Sequence, residues 1–399
     1  MRNIIFHIDV NNAFLSWTAV KLLNEGYNID IRNIVSVIGG DEEARSGIVL
    51  AKSTPAKKLG ITSAETLYQA KKKAPNLKVY KPDYKYYEEM SKKLFNLLQK
   101  YSPDIEVASI DECYLDYGKV RLLYGDEMQF AQKLQKEIND ELGFTVNIGI
   151  ANNKLCAKMA SDFEKPNKIH TLYNYEIEEK MYPLPIGDLF GIGKKTVIKL
   201  NEIGIYTIAD LANYNDLKLK RYFKNQATHM INIARGIDNS YVNSEAHIPK
   251  GIGHEFTLVE DSNNKDFLYE QLFLLANMTA RRLRSNNKYA KVICVVIKDV
   301  FFKRKSHQRK LKNATNTTNE IYKHAKEIFD EFYDNEPIRL IGIRLDNLVD
   351  DVEFQVSLFE SYDYRQKEEK IDSVVDDINL KYGCNIVKKA SLLNINREK

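Results

Sequence analysis

A chain of 399 residues has room for two to four domains, each with a core of its own, which excludes a lone small binding module. Hydrophobic residues make up 44% and charged residues 29%, with only nine prolines, a balance that excludes disordered and fibrous chains. The net charge of +4 decides nothing by itself, because basic side chains matter to partners where they cluster.

No stretch approaches the roughly 18 to 20 uninterrupted apolar residues needed to cross a bilayer. The N-terminal apolar run is broken by His7 and Asp9 and has no small-residue cleavage site behind it, so a cytoplasmic location and no membrane partner are expected. Residues 3–10 predict a strand with Asp9 near its end. Asn12 is placed to cap the following helix, whose Phe14, Leu15, Val20, Leu22 and Leu23 stop near Gly26. Residues 31–80 mix short apolar runs with lysines. Residues 105–110 and 113–115 predict two strands joined at Asp111 and Glu112, and residues 145–150 a third, followed by a helix over 153–163.

Pro183 and Pro185 mark a boundary, after which residues 189–212 predict two short helices turning at Gly191, Gly193 and Gly204. Residues 239–249 are polar and predict a linker. Beyond it, strands at 292–297 and 339–345 alternate with amphipathic helices at 267–284 and 318–332, an α+β pattern. Twelve lysines and arginines between Arg281 and Lys312 stand against one acid, Asp299, a density that points to a polyanionic partner as well as to an ordinary solvated face. Cys113, Cys156, Cys294 and Cys384 form no CxxC pair, which argues for free thiols in a reducing compartment rather than a zinc site or disulfides.

Asp9 ends an apolar strand, where a charge is costly unless it meets a cation. Asp111 and Glu112 follow about 100 residues later between two apolar runs. Three carboxylates brought together would repel and hold protons, whereas hard oxygen ligands around two Mg²⁺ remain ionised. Such an arrangement suits phosphoryl transfer, with metals about 3.5 to 4 Å apart clamping an in-line displacement. An Asp-Glu pair at a turn is also a common surface feature.

The surrounding residues carry a resemblance. His-Ile-Asp-Val-Asn-Asn-Ala-Phe at 7–14, Ser-Ile-Asp-Glu at 109–112, and the run from Gly149 through Glu164-Lys165-Pro166-Asn167 resemble three motifs of the bacterial Y-family, or translesion, DNA polymerases, in order and with consistent spacing. The resemblance implies an α+β multidomain, right-hand polymerase. A ferredoxin-like palm takes 1–12 and 81–167, small fingers 13–80, and a helical thumb with a helix-hairpin-helix 168–238. A linker covers 239–249, an α+β little finger 250–350, and a tail 351–399. It implies that Asp9, Asp111 and Glu112, with the Val10 carbonyl, hold two Mg²⁺, and that Phe14 is the aromatic steric gate against a ribose 2′-hydroxyl. Lys165 would meet the nucleotide triphosphate.

The fingers segment at 46–61 departs from the family. Thr54 and Lys57 stand where a tyrosine and an arginine usually face the triphosphate, and lysine lacks the bidentate fork. Asn11 replaces an acid often found there. Gly191, Gly193, Lys194 and Lys195 resemble the helix-hairpin-helix that meets a DNA phosphate. Lys303, Arg304, Lys305 and Arg309 of the basic block would touch DNA from the little finger. Gln355, Leu358 and Phe359 fit the pentapeptide that binds a sliding clamp. Expected partners are thus primer-template DNA, deoxynucleotides and the clamp, for a monomer that performs low-fidelity, templated synthesis. Two other readings remain: a DNA-binding relative impaired through Thr54 and Lys57, and a nucleotide cyclase suggested by Gly39-Gly40-Asp41-Glu42-Glu43.

Overall fold

The strand IFHIDV at Ile5–Val10 is buried at all six positions, the mark of a central strand covered on both faces. The computed structural model describes residues 3–41, 47–245, 249–350, 362–382 and 386–387. They divide near residue 246 into two compact units. In chain order the first opens with β1 (Ile5–Val10), α1 (Ala13–Asn24), β2 (Ser36–Gly39), β3 (Val49–Lys52), α2 (Thr54–Lys58), α3 (Leu67–Lys73) and β4 (Lys78–Tyr80). There follow α4 (Tyr84–Gln99), β5 (Ile105–Val107), β6 (Glu112–Asp116), α5 (Arg121–Tyr124), α6 (Glu127–Leu142), β7 (Val146–Ala151), α7 (Lys154–Asp162) and β8 (Ile169–Leu172).

β1 lies at the centre of a five-stranded sheet in the order β5-β6-β1-β7-β8, antiparallel to both of its neighbours. Side chains alternate between the faces of a strand. Phe6, Ile8 and Val10 therefore join Cys113, Leu115, Val146, Ile148 and Ile150 on one face, where they pack with Tyr87 and Leu94 of α4 and Phe130 and Leu134 of α6. Asp83 and Asp126 cap these two helices by accepting first-turn amides, and Gly143 at φ 76° closes α6. The other face carries His7, Asp9, Glu112, Tyr114, Asn147 and Gly149, and α7 lies across it. A Cβ at Gly149 would come within 2.0 Å of the Ala157 carbonyl oxygen and 2.5 Å of the Ser161 nitrogen, so the absence of a side chain lets the helix backbone rest on the strand.

A second, three-stranded sheet in the order β3-β2-β4 packs around Val37, Val49, Ile61 and Leu67. Asn12 does not cap α1 as the sequence suggests. It adopts the left-handed conformation without a cap bond, and its side chain instead donates to the Lys52 carbonyl at 2.6 Å, tying the start of α1 to the end of β3.

Short helices α8 (Lys194–Glu202), α9 (Ile208–Ala212), α10 (Asp216–Phe223) and α11 (Ala227–Ala234) make a helical cluster in the region expected to be the thumb. Its core is continuous with Leu155, Cys156 and Met159 of α7. Two expected boundaries shift. Residues 169–172 pair with β7 as the last palm strand rather than opening the thumb. Within the expected linker, Val242 is buried in the thumb core, and the Asn243 amide donates to Glu106 at 2.9 Å.

The second unit comprises β9 (Gly251–Ser262), α12 (Lys265–Ser285), β10 (Tyr289–Asp299), β11 (Arg304–Thr315), α13 (Thr318–Phe332), β12 (Ile338–Val349) and α14 (Tyr362–Tyr382). The sheet runs β11-β10-β12-β9, all antiparallel. α12 and α13 cover one face through Leu272, Leu275, Ile321 and Ile328. The tail returns to this unit. Asp372 of α14 accepts the Thr318 amide at 2.8 Å and pairs with Arg284 at 3.2 Å, and Asp376 holds the same arginine at 2.7 Å. Cys113, Cys156 and Cys294 are buried free thiols, and no described helix is long and apolar enough to cross a membrane.

Gly149→Ala is expected to lower stability by about 3 kcal/mol, since the clash is with backbone that cannot rotate away. Thermal or urea unfolding measures this, and a wild-type midpoint would contradict the close packing.

Candidate active site

Strand register builds the site. Asp9 of β1 stands directly opposite Glu112 of β6 and Asn147 of β7, so these three side chains share the α7 face near one end of the sheet. Asp111 is brought alongside by a backbone bond from the Val10 amide to its carbonyl at 3.0 Å. Its carboxylate accepts the Ser109 hydroxyl at 2.6 Å. The backbone thus sets Asp9 opposite Glu112 and ties the Asp111 carbonyl to the end of β1.

Asp9 and Glu112 each have a counter-ion. Asp9 is 5% exposed, and Lys165 reaches its Oδ2, while the same ammonium lies 2.8 Å from Asp162. Burial raises the Asp9 pKa despite that lysine. For Lys165, burial works downward, but the Asp9 and Asp162 carboxylates outweigh it and raise its pKa. Glu112 is the opposite case: the His7 ring, 3.7 Å away, and the Lys158 ammonium at 2.8 Å outweigh its partial burial and hold its carboxyl down at about 2. His7 is held from behind through Nδ1 and the Ser161 hydroxyl at 2.8 Å.

These carboxylates fit a hard divalent cation by chemistry: three acids with oxygen donors, one of them nearly sealed from water, and positive charge already recruited to two of them. As the side chains stand, no three His, Cys, Asp or Glu among the described residues close around a metal position. Ammonium groups hold Asp9 and Glu112 instead.

Asn11, where the family often has an acid, is a structural link. Its Nδ2 donates to Asn147 at 2.9 Å, and its Oδ1 accepts from the Thr145 hydroxyl and the Asn167 amide. Phe14 is half-buried and stacks on Tyr87 with centroids 4.8 Å apart, and Tyr84 meets its edge. Thr54 and Lys57 lie exposed on α2, whose first turn is capped by Ser53. Sequence reasoning passed over Lys52 beside them. Its pKa is pushed down by burial and then by Lys57, and its ammonium donates to the Ser63 hydroxyl at 3.0 Å. His7, Lys158 and Asn147 were passed over too, because only the fold sets them beside the acids.

In the thumb, Gly191 takes φ 91°, Gly193 stands at the N-terminus of α8, and Lys194 and Lys195 are exposed on its first turn. In the second unit, alternation along β11 divides the basic block. Lys305 and Arg309 point to the helix side, where they pair with Asp334 and with Glu327 and Glu331. Arg304, Ser306, Gln308 and Lys310 are exposed on the open face, Arg304 bonding Glu255 at 2.7 Å, and Lys303 is exposed in the adjoining turn. The four expected DNA contacts therefore do not share one surface. The open face also holds a trough of about 480 Å³ at Gly251, Gly253 and Gly342. Gln355, Leu358 and Phe359 lie outside the described residues, as do Glu42 and Glu43.

The sequence matches the impB/mucB/samB family over residues 8–162, the C-terminal domain of that family over 249–358, and the IMS family HHH motif over 176–205. It is 46% identical to a DNA polymerase IV of Clostridium acetobutylicum, across 98% of this chain and 99% of that one. A solved Y-family DNA polymerase chimera of Dbh and Dpo4 superposes with a TM-score of 0.77 at 26% identity, covering 87% of this chain and 100% of the other. An insertion ternary complex of Dbh DNA polymerase superposes at 0.61, with 26% identity and the same coverage. The chain belongs to the Y-family of DNA polymerases.

As a Y-family polymerase it is a template-directed, low-fidelity, translesion enzyme of α+β multidomain architecture, and metal-dependent like the rest of its family. The cyclase reading falls with that membership.

Asn11→Asp, although it restores an acid common in the Y-family, is expected to destabilise the palm by about 1–3 kcal/mol. The substitution removes the donor to Asn147 and sets a carboxylate against a carbonyl oxygen. Urea unfolding measures the change, and unaltered stability would contradict the structural role.

Proposed function

We propose that Asp9, Asp111 and Glu112, with the Val10 carbonyl, form the ligand set for two Mg²⁺ ions, and that the chain extends a DNA primer there. The opposition of Asp9 and Glu112 across β1 and β6 supports this most directly. Two such ions, when bound, lower the pKa of the primer hydroxyl and neutralise charge on the leaving pyrophosphate. The protein's own groups do the rest. Lys158 and His7 keep Glu112 ionised and aimed, and Lys165 guards the charge of Asp9 until a nucleotide triphosphate offers it a denser anion. Lys57, with Thr54 beside it, faces the triphosphate as a point charge rather than a fork. Phe14, fixed by its stack on Tyr87, excludes a 2′-hydroxyl by overlap.

The thumb hairpin at Gly191, Gly193, Lys194 and Lys195 receives a backbone phosphate through first-turn amides and lysine charge. In the second unit, the exposed cations of the open sheet face, Arg304 and Lys310 with Lys303 at its edge, follow the duplex backbone. Arg309 contributes by restraining α13, and Lys305 by holding Asp334 in the segment that follows it. The palm is read as 1–12 and 81–167, the fingers as 13–80, the thumb as 168–238 and the little finger as 250–350, with β8 assigned to the palm and Val242 to the thumb on account of their packing. The pentapeptide Gln355–Phe359 recruits a sliding clamp to a cytoplasmic monomer. The cellular role is lesion bypass in DNA repair, with mutagenesis as its cost.

Primer extension with Mg²⁺ tests the reading. Glu112→Gln is expected to slow extension about 10²–10³-fold, the scale of losing one group that stabilises transition-state charge, while circular dichroism stays native. Normal extension by that variant would overturn the ligand assignment. Phe14→Ala is expected to raise ribonucleotide incorporation relative to deoxynucleotides while synthesis continues, and an unchanged sugar preference would count against the gate.

A further inference from the structure

Two phenylalanines of the second unit stand in water. Phe301 and Phe302 occupy the tip of the β10–β11 hairpin and are 87% and 64% exposed. The turn beneath them is firmly built. Asp299 Oδ1 accepts the amides of Phe301 at 2.9 Å and Lys303 at 2.8 Å, the Phe302 amide donates to the Asp299 carbonyl at 3.0 Å, and the Asp299 amide donates to the Lys303 carbonyl at 3.1 Å. That geometry sets Phe302 at φ 63°, a conformation that glycine or asparagine adopts with less strain. Stability alone favours neither two exposed rings nor a bulky side chain on left-handed backbone, and such strain gathers at working surfaces. The Arg339 guanidinium backs the Phe302 ring at 4.8 Å from its centroid.

The surrounding charge says what the rings await. Lys298, Lys303 and Arg304 flank the tip, and the carboxylate of the one acid among them, Asp299, is engaged in the turn. Aromatic rings among cations suit nucleic acid: bases stack on the rings, and phosphates meet the ammonium groups. Bases within a duplex already have neighbours on both faces, and inserting a ring would cost their unstacking. A templated polymerase also carries template bases not yet paired, and those faces are free.

We propose that the Phe301-Phe302 tip stacks on unpaired template bases, with Lys298 and Lys303 on the adjoining phosphates. This rests on reading the second unit as a DNA-binding domain.

Fluorescence anisotropy of the full chain, on one duplex with and without a single-stranded template overhang, tests both points separately. Phe301→Ala is expected to weaken binding to the overhang substrate about tenfold. The same variant should leave binding to the blunt duplex unchanged, and Phe301→Trp should restore the lost affinity. Equal affinity of Phe301→Ala and wild type for the overhang substrate overturns the proposal. Lys310→Glu, on the open sheet face, monitors the underlying reading: unaltered affinity for both substrates would remove the DNA-binding assignment of the domain itself.

Discussion

A carboxylate nearly sealed from water governs this molecule. Asp9 can keep its charge at the end of a buried strand only if positive charge comes to it, and the palm is arranged to supply that charge. β1 has to lie between β6 and β7 in one register. A slip of one residue would turn Asp9 into the apolar core and Ile8 toward α7. α7 has to lie directly on β7, which Gly149 permits, for Lys158 and Ser161 to reach Glu112 and His7. Fold and chemistry therefore share one constraint: the helix contact that completes the core also delivers the charges that hold the acids.

The two lysines also bear on how the site is prepared. Carboxylates with no counter-ion would repel one another and draw up protons. With Lys165 on Asp9 and Lys158 on Glu112, the pair stands close together before any substrate arrives. The contacts differ in kind. Lys158 is almost buried and belongs to the scaffold, whereas Lys165 is more than a third exposed and can exchange partners.

Where local pattern and tertiary setting agree, the sequence is easy to read. The strand at Asp9, the helices at 265–285 and 318–332 and the turns at Gly191 and Gly204 all follow from apolar period or turn chemistry. β9 and β11 were not legible, since their exposed faces are polar and β11 reads RKSHQRKLKNAT, without a clean alternation. Asn12 resembles a cap, but a tertiary acceptor, the Lys52 carbonyl, takes its side chain. The acids could be named from motif position, yet their supporting His7, Lys158 and Asn147 could not, because nothing local marks a side chain that acts through a neighbouring strand. The basic block was legible as a cluster, but not the division that alternation makes of it between Arg304 with Lys310 and Lys305 with Arg309.

The return of the chain to its own domain has a mechanical consequence. Asp372 and Asp376 anchor α14 to Arg284 and to the first turn of α13. Arg284 belongs to α12 and Thr318 opens α13, so two carboxylates of one helix clasp both of the helices that cover the sheet. Pulling α14 away would leave the Arg284 guanidinium, only 11% exposed, without its two acids, so the helix works as a latch whose release is felt in the layer beneath it.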